Sequence, residues 1–177
     1  LNLAERWGWR PVGSNPCRLV ERYPEKKRRR FAAPDEILRI GRALDELAAD
    51  PENASGIAFI WCLLFSGARP TEIARATPQI LEVGEEGGVL RIEKGKTGER
   101  TVFLPSQAVA ALAALPADRE KLCGRATVPR ALWKEVLKRA GIKDLWARDL
   151  RRTFATVGLT KGGLSLAQLG ELLGHKS

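Results

Sequence analysis

Residues 54–72 read Ala54-Ser55-Gly56-Ile57-Ala58-Phe59-Ile60-Trp61-Cys62-Leu63-Leu64-Phe65-Ser66-Gly67-Ala68-Arg69-Pro70-Thr71-Glu72. Positions 54–66 are apolar nearly all round, which predicts a central helix buried on every side rather than one lying on a surface. Gly67 ends that helix, and Pro70-Thr71-Glu72 starts a short new one, because proline suits a first turn whose N–H has no partner. Arg69 falls in the break between them. A helix apolar on all sides needs other elements to cover it, and the flanking sequence supplies them.

Upstream, Pro34-Asp35-Glu36 is a helix start, and Ile37, Ile40, Leu44 and Leu47 mark one face at helical spacing. Pro51 ends that helix, and Asn53 can cap the buried one. Downstream the period changes. Val89–Glu93 and Arg100–Leu104 have strand character and flank Gly95-Lys96-Thr97-Gly98, which predicts a β-hairpin. Pro105-Ser106 opens an alanine-rich helix to about Leu115, residues 116–127 read as a surface loop, and 128–140 form an amphipathic helix closed by Gly141. Asp149 is expected to cap a helix reaching Thr160, and Ser165 the helix that ends at Gly174. The expected class is α+β, mainly α, with one small antiparallel β-hairpin or sheet and no internal repeat.

The 177 residues suffice for one sizeable core, or one domain plus an arm. No apolar run approaches the roughly 20 residues of a membrane span. Three cysteines, far apart, make neither a disulfide framework nor, with a single histidine, a zinc site, which suits a reducing cytoplasm. Methionine is absent even from position 1, so a processed or cloned fragment is expected. The net charge of +9 suggests a polyanionic partner, although charge alone equally fits a solubilising surface. Residues 1–17 read as the end of something larger. Leu19 to Arg30, with Glu25-Lys26-Lys27-Arg28-Arg29-Arg30, reads as an extended linker too polar to bury itself.

A set of cations stands out by its settings: Arg69 at its helix break, Lys96 in the hairpin turn, Arg148, Arg151 and Arg152 in Arg148-Asp149-Leu150-Arg151-Arg152-Thr153-Phe154, and His175 in Leu172-Leu173-Gly174-His175. Each has a plain structural alternative. Arg69 can pair with Glu72, Lys96 can be a solvated turn residue, Arg151 and Arg152 can be surface charges, and His175 can be a helix C-cap. Jointly they supply what metal-free cleavage of a phosphodiester needs. Arginine forks neutralise the non-bridging oxygens, and lysine and histidine serve proton donation and charge stabilisation.

In order and setting these segments resemble the tyrosine recombinase (phage integrase) family over most of the chain. Residues 57–75 resemble its first arginine box, with Arg69 at the arginine and Glu72 at the supporting acidic position. Ile92–Pro105 resembles the hairpin that carries the catalytic lysine, at Lys96, with Lys94 two residues away on the same face. Residues 148–156 resemble the His-x-x-Arg box, matched by Arg151 but with Arg148 in the histidine position. Leu172–Ser177 resembles the third box, with His175 at its His/Trp position. The resemblance implies a catalytic domain over residues 31–177, preceded at 1–30 by the end of a core-binding domain and a basic linker. It also implies cleavage and rejoining of double-stranded DNA through a 3′-phosphotyrosine, with no metal or other cofactor, by a protein that works as a tetramer on DNA in the cytoplasm of a bacterium or phage host. Arg69, Arg148 and Arg151 would hold the phosphate, Lys96 would protonate the leaving oxygen, and His175 would stabilise the pentacoordinate state. Lys26, Lys27, Arg28, Arg29, Arg30 and Arg152 would contact the DNA. No membrane or small-molecule substrate is implied. The family's nucleophile lies beyond the third box, and Tyr23, the sole tyrosine, matches no such position. The fragment by itself is therefore expected not to cleave. A non-catalytic DNA-binding regulator derived from an integrase, and a type IB topoisomerase-like nicking enzyme, are the alternatives.

Overall fold

A computed structural model describes residues 1–21, 23–24, 28–95 and 98–174, the side chains of 93–95 and 98–100 excepted. The described elements begin with α1 (Asn2–Arg6), α2 (Pro34–Leu47), α3 (Ala54–Ser66) and α4 (Pro70–Arg75). A sheet of β1 (Leu81–Gly84), β2 (Gly87–Gly95) and β3 (Gly98–Pro105) follows. The chain then forms α5 (Ser106–Ala113), α6 (Arg130–Arg139), α7 (Asp149–Thr160) and α8 (Leu166–Leu173), with single 3-10 turns at Pro51–Asn53 and Pro78–Ile80. No described helix is long and apolar enough to cross a membrane.

The buried helix read from the sequence is the centre of the molecule. Ala58, Phe59 and Cys62 of α3 are fully enclosed, and Ile60 and Leu63 nearly so. They join Ile40 and Leu44 of α2, Leu90 and Val102 of the sheet, Leu112 of α5, Val136 of α6 and Leu150 of α7 in one core. Gly67, with φ of 61°, closes α3 in the left-handed region that glycine tolerates. A Cβ there would come within 2.5 Å of Phe154 on α7 and 2.9 Å of Leu173 on α8. Glycine thus lets the end of α3 meet both later helices, and the site depends on that approach.

The sheet is antiparallel in the order β1-β2-β3, with Leu81 opposite Leu90 and Leu90 opposite Val102. The hairpin is as expected; β1 is an addition. Two other expectations are corrected. Residues 116–127 are not simply a surface loop: Leu122 and Cys123 are fully buried, and the Leu122 N–H donates to the Ala76 carbonyl at 2.8 Å. Asp149 does not cap α7 from outside. It is the first helical residue, Arg148 being the N-cap, and its carboxylate accepts the Trp146 N–H at 2.9 Å.

The stretch before α2 has two parts. Residues 1–21 carry exposed Leu1, Leu3, Trp7, Trp9, Val12, Leu19 and Val20, and α1 buries nothing. Residues 28–32, without regular structure, are tied to the globular part. Ala32 donates its N–H to the buried Thr153 hydroxyl at 2.9 Å, and that hydroxyl donates to the Asp149 carbonyl at 3.1 Å. Arg152 donates to the Arg28 carbonyl, and Arg30 Nε to the Asp144 carbonyl at 2.9 Å. What reads as a free linker is at this end a strap across the start of α7.

Candidate phosphate site

Three chain segments far apart in sequence meet at Arg151. One turn into α7, it donates from Nη1 to the Gly67 carbonyl at 2.8 Å and from Nη2 to the Leu173 carbonyl at 2.5 Å. These are the carbonyl of the residue that caps α3 and the last carbonyl of α8, oxygens that helix geometry leaves without an intrahelical donor. Arg151 therefore stitches the end of the buried helix to the end of the last one. Arg69 follows Gly67 by two residues, so the two sequence-predicted arginines belong to one region.

Arg69 is the N-cap of α4, where a cation opposes the positive end of the helix. Glu72 offsets this. Its carboxylate accepts the Arg69 N–H and the Arg69 Nη1, each at 2.7 Å, while its own side chain is only 7% exposed. The Arg69 side chain remains 27% exposed. A buried carboxylate thus fixes one edge of a guanidinium that still reaches the surface.

Arg148 and Arg151 line a cleft of about 520 Å³ together with Arg28, Asp149, Arg152, Ala155 and Leu173. Arg148 is exposed, with its guanidinium 4.0 Å from the centre of the Trp146 ring. Among the described residues no carboxylate lies within ion-pair distance of it. Arg152 is exposed, as is Arg29. Arg28 and Arg30 bind carboxylates of the chain itself. Arg28 meets Asp149 at 2.8 Å and Asp144 at 3.0 Å, and Arg30 meets Glu36 at 2.5 Å. The bond to Asp149 pushes Arg28 up from its ordinary pKa against the opposing effect of burial, and the bond to Glu36 does the same for Arg30. Reciprocally, Arg30 holds the Glu36 carboxyl below the usual carboxylate range. Lys26, Lys27, Lys96 and His175, and the Lys94 side chain, lie outside the described residues.

Sequence reasoning did not single out Trp146 or Thr153, and it read Asp149 only as a helix cap. An aromatic two residues before an arginine at a loop end was the available signal for Trp146. The roles of Asp149 and Thr153 depend on a strap whose path no local pattern encodes.

This arrangement of helices and sheet recurs in solved proteins. XerA recombinase superposes with a TM-score of 0.68 at 22% identity, covering 88% of this chain and 58% of that one. XerH site-specific recombinase, bound to its difH substrate before cleavage, gives 0.69 at 18%, covering 89% and 51%. The chain has the recombinase catalytic-domain fold. A lambda integrase tetramer on a Holliday junction shares that recombinase fold, with a TM-score of 0.65 at 19% identity, covering 99% of this chain and 55% of that one. The chain thus spans between half and three fifths of these solved recombinases. No family model and no curated protein matches the sequence.

Proposed function

We propose that this chain provides the phosphate-binding half of a metal-independent DNA strand-exchange site, acting in site-specific recombination or integration through a 3′-phosphotyrosyl intermediate. The observation that carries the reading is Arg151. Its fork joins the ends of α3 and α8, so that the helix break bearing Arg69 and the segment leading to His175 meet at one cation on a recombinase fold. In this reading Arg69 and Arg151 grip the non-bridging oxygens, with Glu72 setting the pose of Arg69. Arg148 acts as a third cation, and a guanidinium there binds phosphate but moves no proton near neutral pH. Lys96 protonates the leaving 5′-oxygen and His175 steadies the pentacoordinate phosphorus. A tyrosine hydroxyl attacks, the phosphorus–oxygen bond to the 5′-oxygen breaks, and the energy of the diester stays in the protein–DNA link for religation.

The partner is double-stranded DNA, with self-association on it. The neighbouring structures support this in that one is a substrate complex and another a tetramer on a junction. The lone Tyr23 is 93% exposed and stands before the strap, so it is not assigned as nucleophile; these residues alone are expected to bind DNA without forming a covalent link. A suicide DNA substrate tests the reading in a longer chain that carries the nucleophilic tyrosine. Arg69→Ala or Arg151→Ala should cut covalent trapping by about 100-fold or more while the fold survives. Tyr23→Phe should change nothing, and normal trapping by either arginine variant overturns the assignment. One observation favours a second reading, a DNA-binding regulator without chemistry: an arginine, Arg148, stands where the family's histidine would. Arg148→His distinguishes the two, since equal or higher trapping supports the strand-exchange site.

A further inference from the structure

The wall of the arginine cleft contains a carboxylate in an unfavourable position. Asp149 sits between Arg148 and Leu150 at the start of α7, its side chain 7% exposed, in a cleft whose other charged lining residues are Arg28, Arg148, Arg151 and Arg152. A buried carboxylate beside arginines takes a cation as partner, because leaving its charge unpaired is costly. Here the partner is Arg28, from 121 residues away. Its Nε and Nη2 reach Asp149 Oδ2 at 2.9 and 2.8 Å, and its Nε reaches Oδ1 at 3.2 Å. Asp144 takes the remaining edge at 3.0 Å.

Two guanidiniums share the Trp146 indole, Arg28 at 4.3 Å and Arg148 at 4.0 Å from a ring centre. Like charges this close repel, but the charge of Arg28 is cancelled by two aspartates. Arg148 keeps its positive charge and is held by the ring, which orients a guanidinium without neutralising it. The residue bearing the indole is tied to the same group, because the Trp146 backbone N–H donates to the Asp149 carboxylate.

We propose that Arg28 is a positioning residue rather than a DNA contact: by occupying the buried carboxylate of Asp149, it keeps Arg148 stacked on Trp146 and available to a phosphate in the cleft. Without Arg28, Asp149 captures Arg148, its nearest cation in sequence, and the cleft loses a phosphate ligand. This rests on reading the cleft as a phosphate site, and the test separates the two claims.

The probe is a mixed-sequence DNA duplex, with binding to the 177-residue chain followed by anisotropy across a salt series. Arg148→Ala should weaken binding about tenfold and lower the slope of log K against log salt by about one. Arg28→Ala should weaken binding to a similar extent, yet add less than about twofold in the Arg148→Ala background, since residues acting through one another are not additive. Asp149→Asn should restore most of the loss in Arg28→Ala. Additive losses would make Arg28 a direct DNA contact and overturn the proposal, as would failure of the asparagine rescue. An Arg148→Ala variant that binds with unchanged affinity and slope overturns the cleft reading along with it. Melting curves check that each variant folds. If Arg28→Ala does not, the half-exposed Trp146 reads the same circuit. Trp146→Leu should lose affinity only when Arg148 is present, and Trp146→Phe should keep it; equal loss with and without Arg148 overturns the proposal.

Discussion

Arg28 and Arg148 rest on the same indole and have opposite electrostatic fates. Arg28 faces two aspartates and Arg30 a glutamate, so these two members of the densest basic run in the sequence contribute little field beyond their own pairs. Arg148 rests on a ring face, which orients a guanidinium while carrying no net charge of its own. The difference teaches that a run of basic letters does not by itself mark a nucleic-acid surface. What matters is whether each cation is held by a charge or by a dipole.

Three substitutions probe the two regions, one at the site and two at the strap. The largest effect is expected from Gly67→Ala. Its left-handed φ disfavours any side chain, and the new methyl meets Phe154 at 2.5 Å. A destabilisation of about 2–4 kcal/mol is expected from the combined backbone strain and overpacking, read by thermal or urea melts. DNA affinity should fall with it because Arg151 loses its anchor. A melt within about 0.5 kcal/mol of the parent would mean that α3, α7 and α8 do not close on one another as described.

Thr153→Val comes next. It removes a buried hydroxyl that accepts the Ala32 N–H and donates to the Asp149 carbonyl, at an expected cost of about 1–3 kcal/mol. Hydrogen exchange at the Ala32 amide should accelerate, and an unchanged rate would deny that the strap is bound there.

The smallest effect, and the most direct on the comparison, belongs to Glu36→Gln. The folded-state pKa of Glu36 is lowered by Arg30, so its pairing stabilises the fold above its unfolded value, about 4.3. That contribution is lost as pH falls through the lower folded value. The variant should therefore lose a component of acid-sensitive stability, and its melting temperature should vary less with pH across the acid range. It should also free Arg30, steepening the salt dependence of DNA binding by up to about one unit of slope. An unchanged slope would show that Arg30 stays sequestered by its carbonyl contacts.

Much of the fold was legible because local signals agreed with the global ones. The all-round apolar stretch at 54–66, Pro34 opening α2, Ser165 capping α8 and Gly174 closing it each have a mechanism that acts within a few residues. β1 was not legible, since Leu81–Gly84 has four residues of which three are exposed, so no alternation marks it. It is a strand only because β2 lies beside it. Leu122 and Cys123 were missed for a related reason: a loop between Pro116 and Pro129 looks superficial until Ala76 offers it a carbonyl. At the site, the pairing of Arg69 with Glu72 follows from a short spacing, whereas Arg151 was singled out through a family resemblance, and its bonds to Gly67 and Leu173 join distant segments. The strap was illegible because Arg28 and Asp149 are 121 residues apart and nothing near either names the other.

The strap also bears on how such a chain can change over time. Several of its ties use main-chain atoms on one side: the Arg28 carbonyl, the Ala32 N–H and the Asp144 carbonyl. Main-chain groups persist through almost any substitution. Positions 29 and 31 are thus open to drift, while Thr153, Arg152 and Asp149 hold the specificity from the helix side. A lineage can rewrite positions 29 and 31 and keep the docking geometry, provided Arg28, Arg30 and the receiving residues stay as they are.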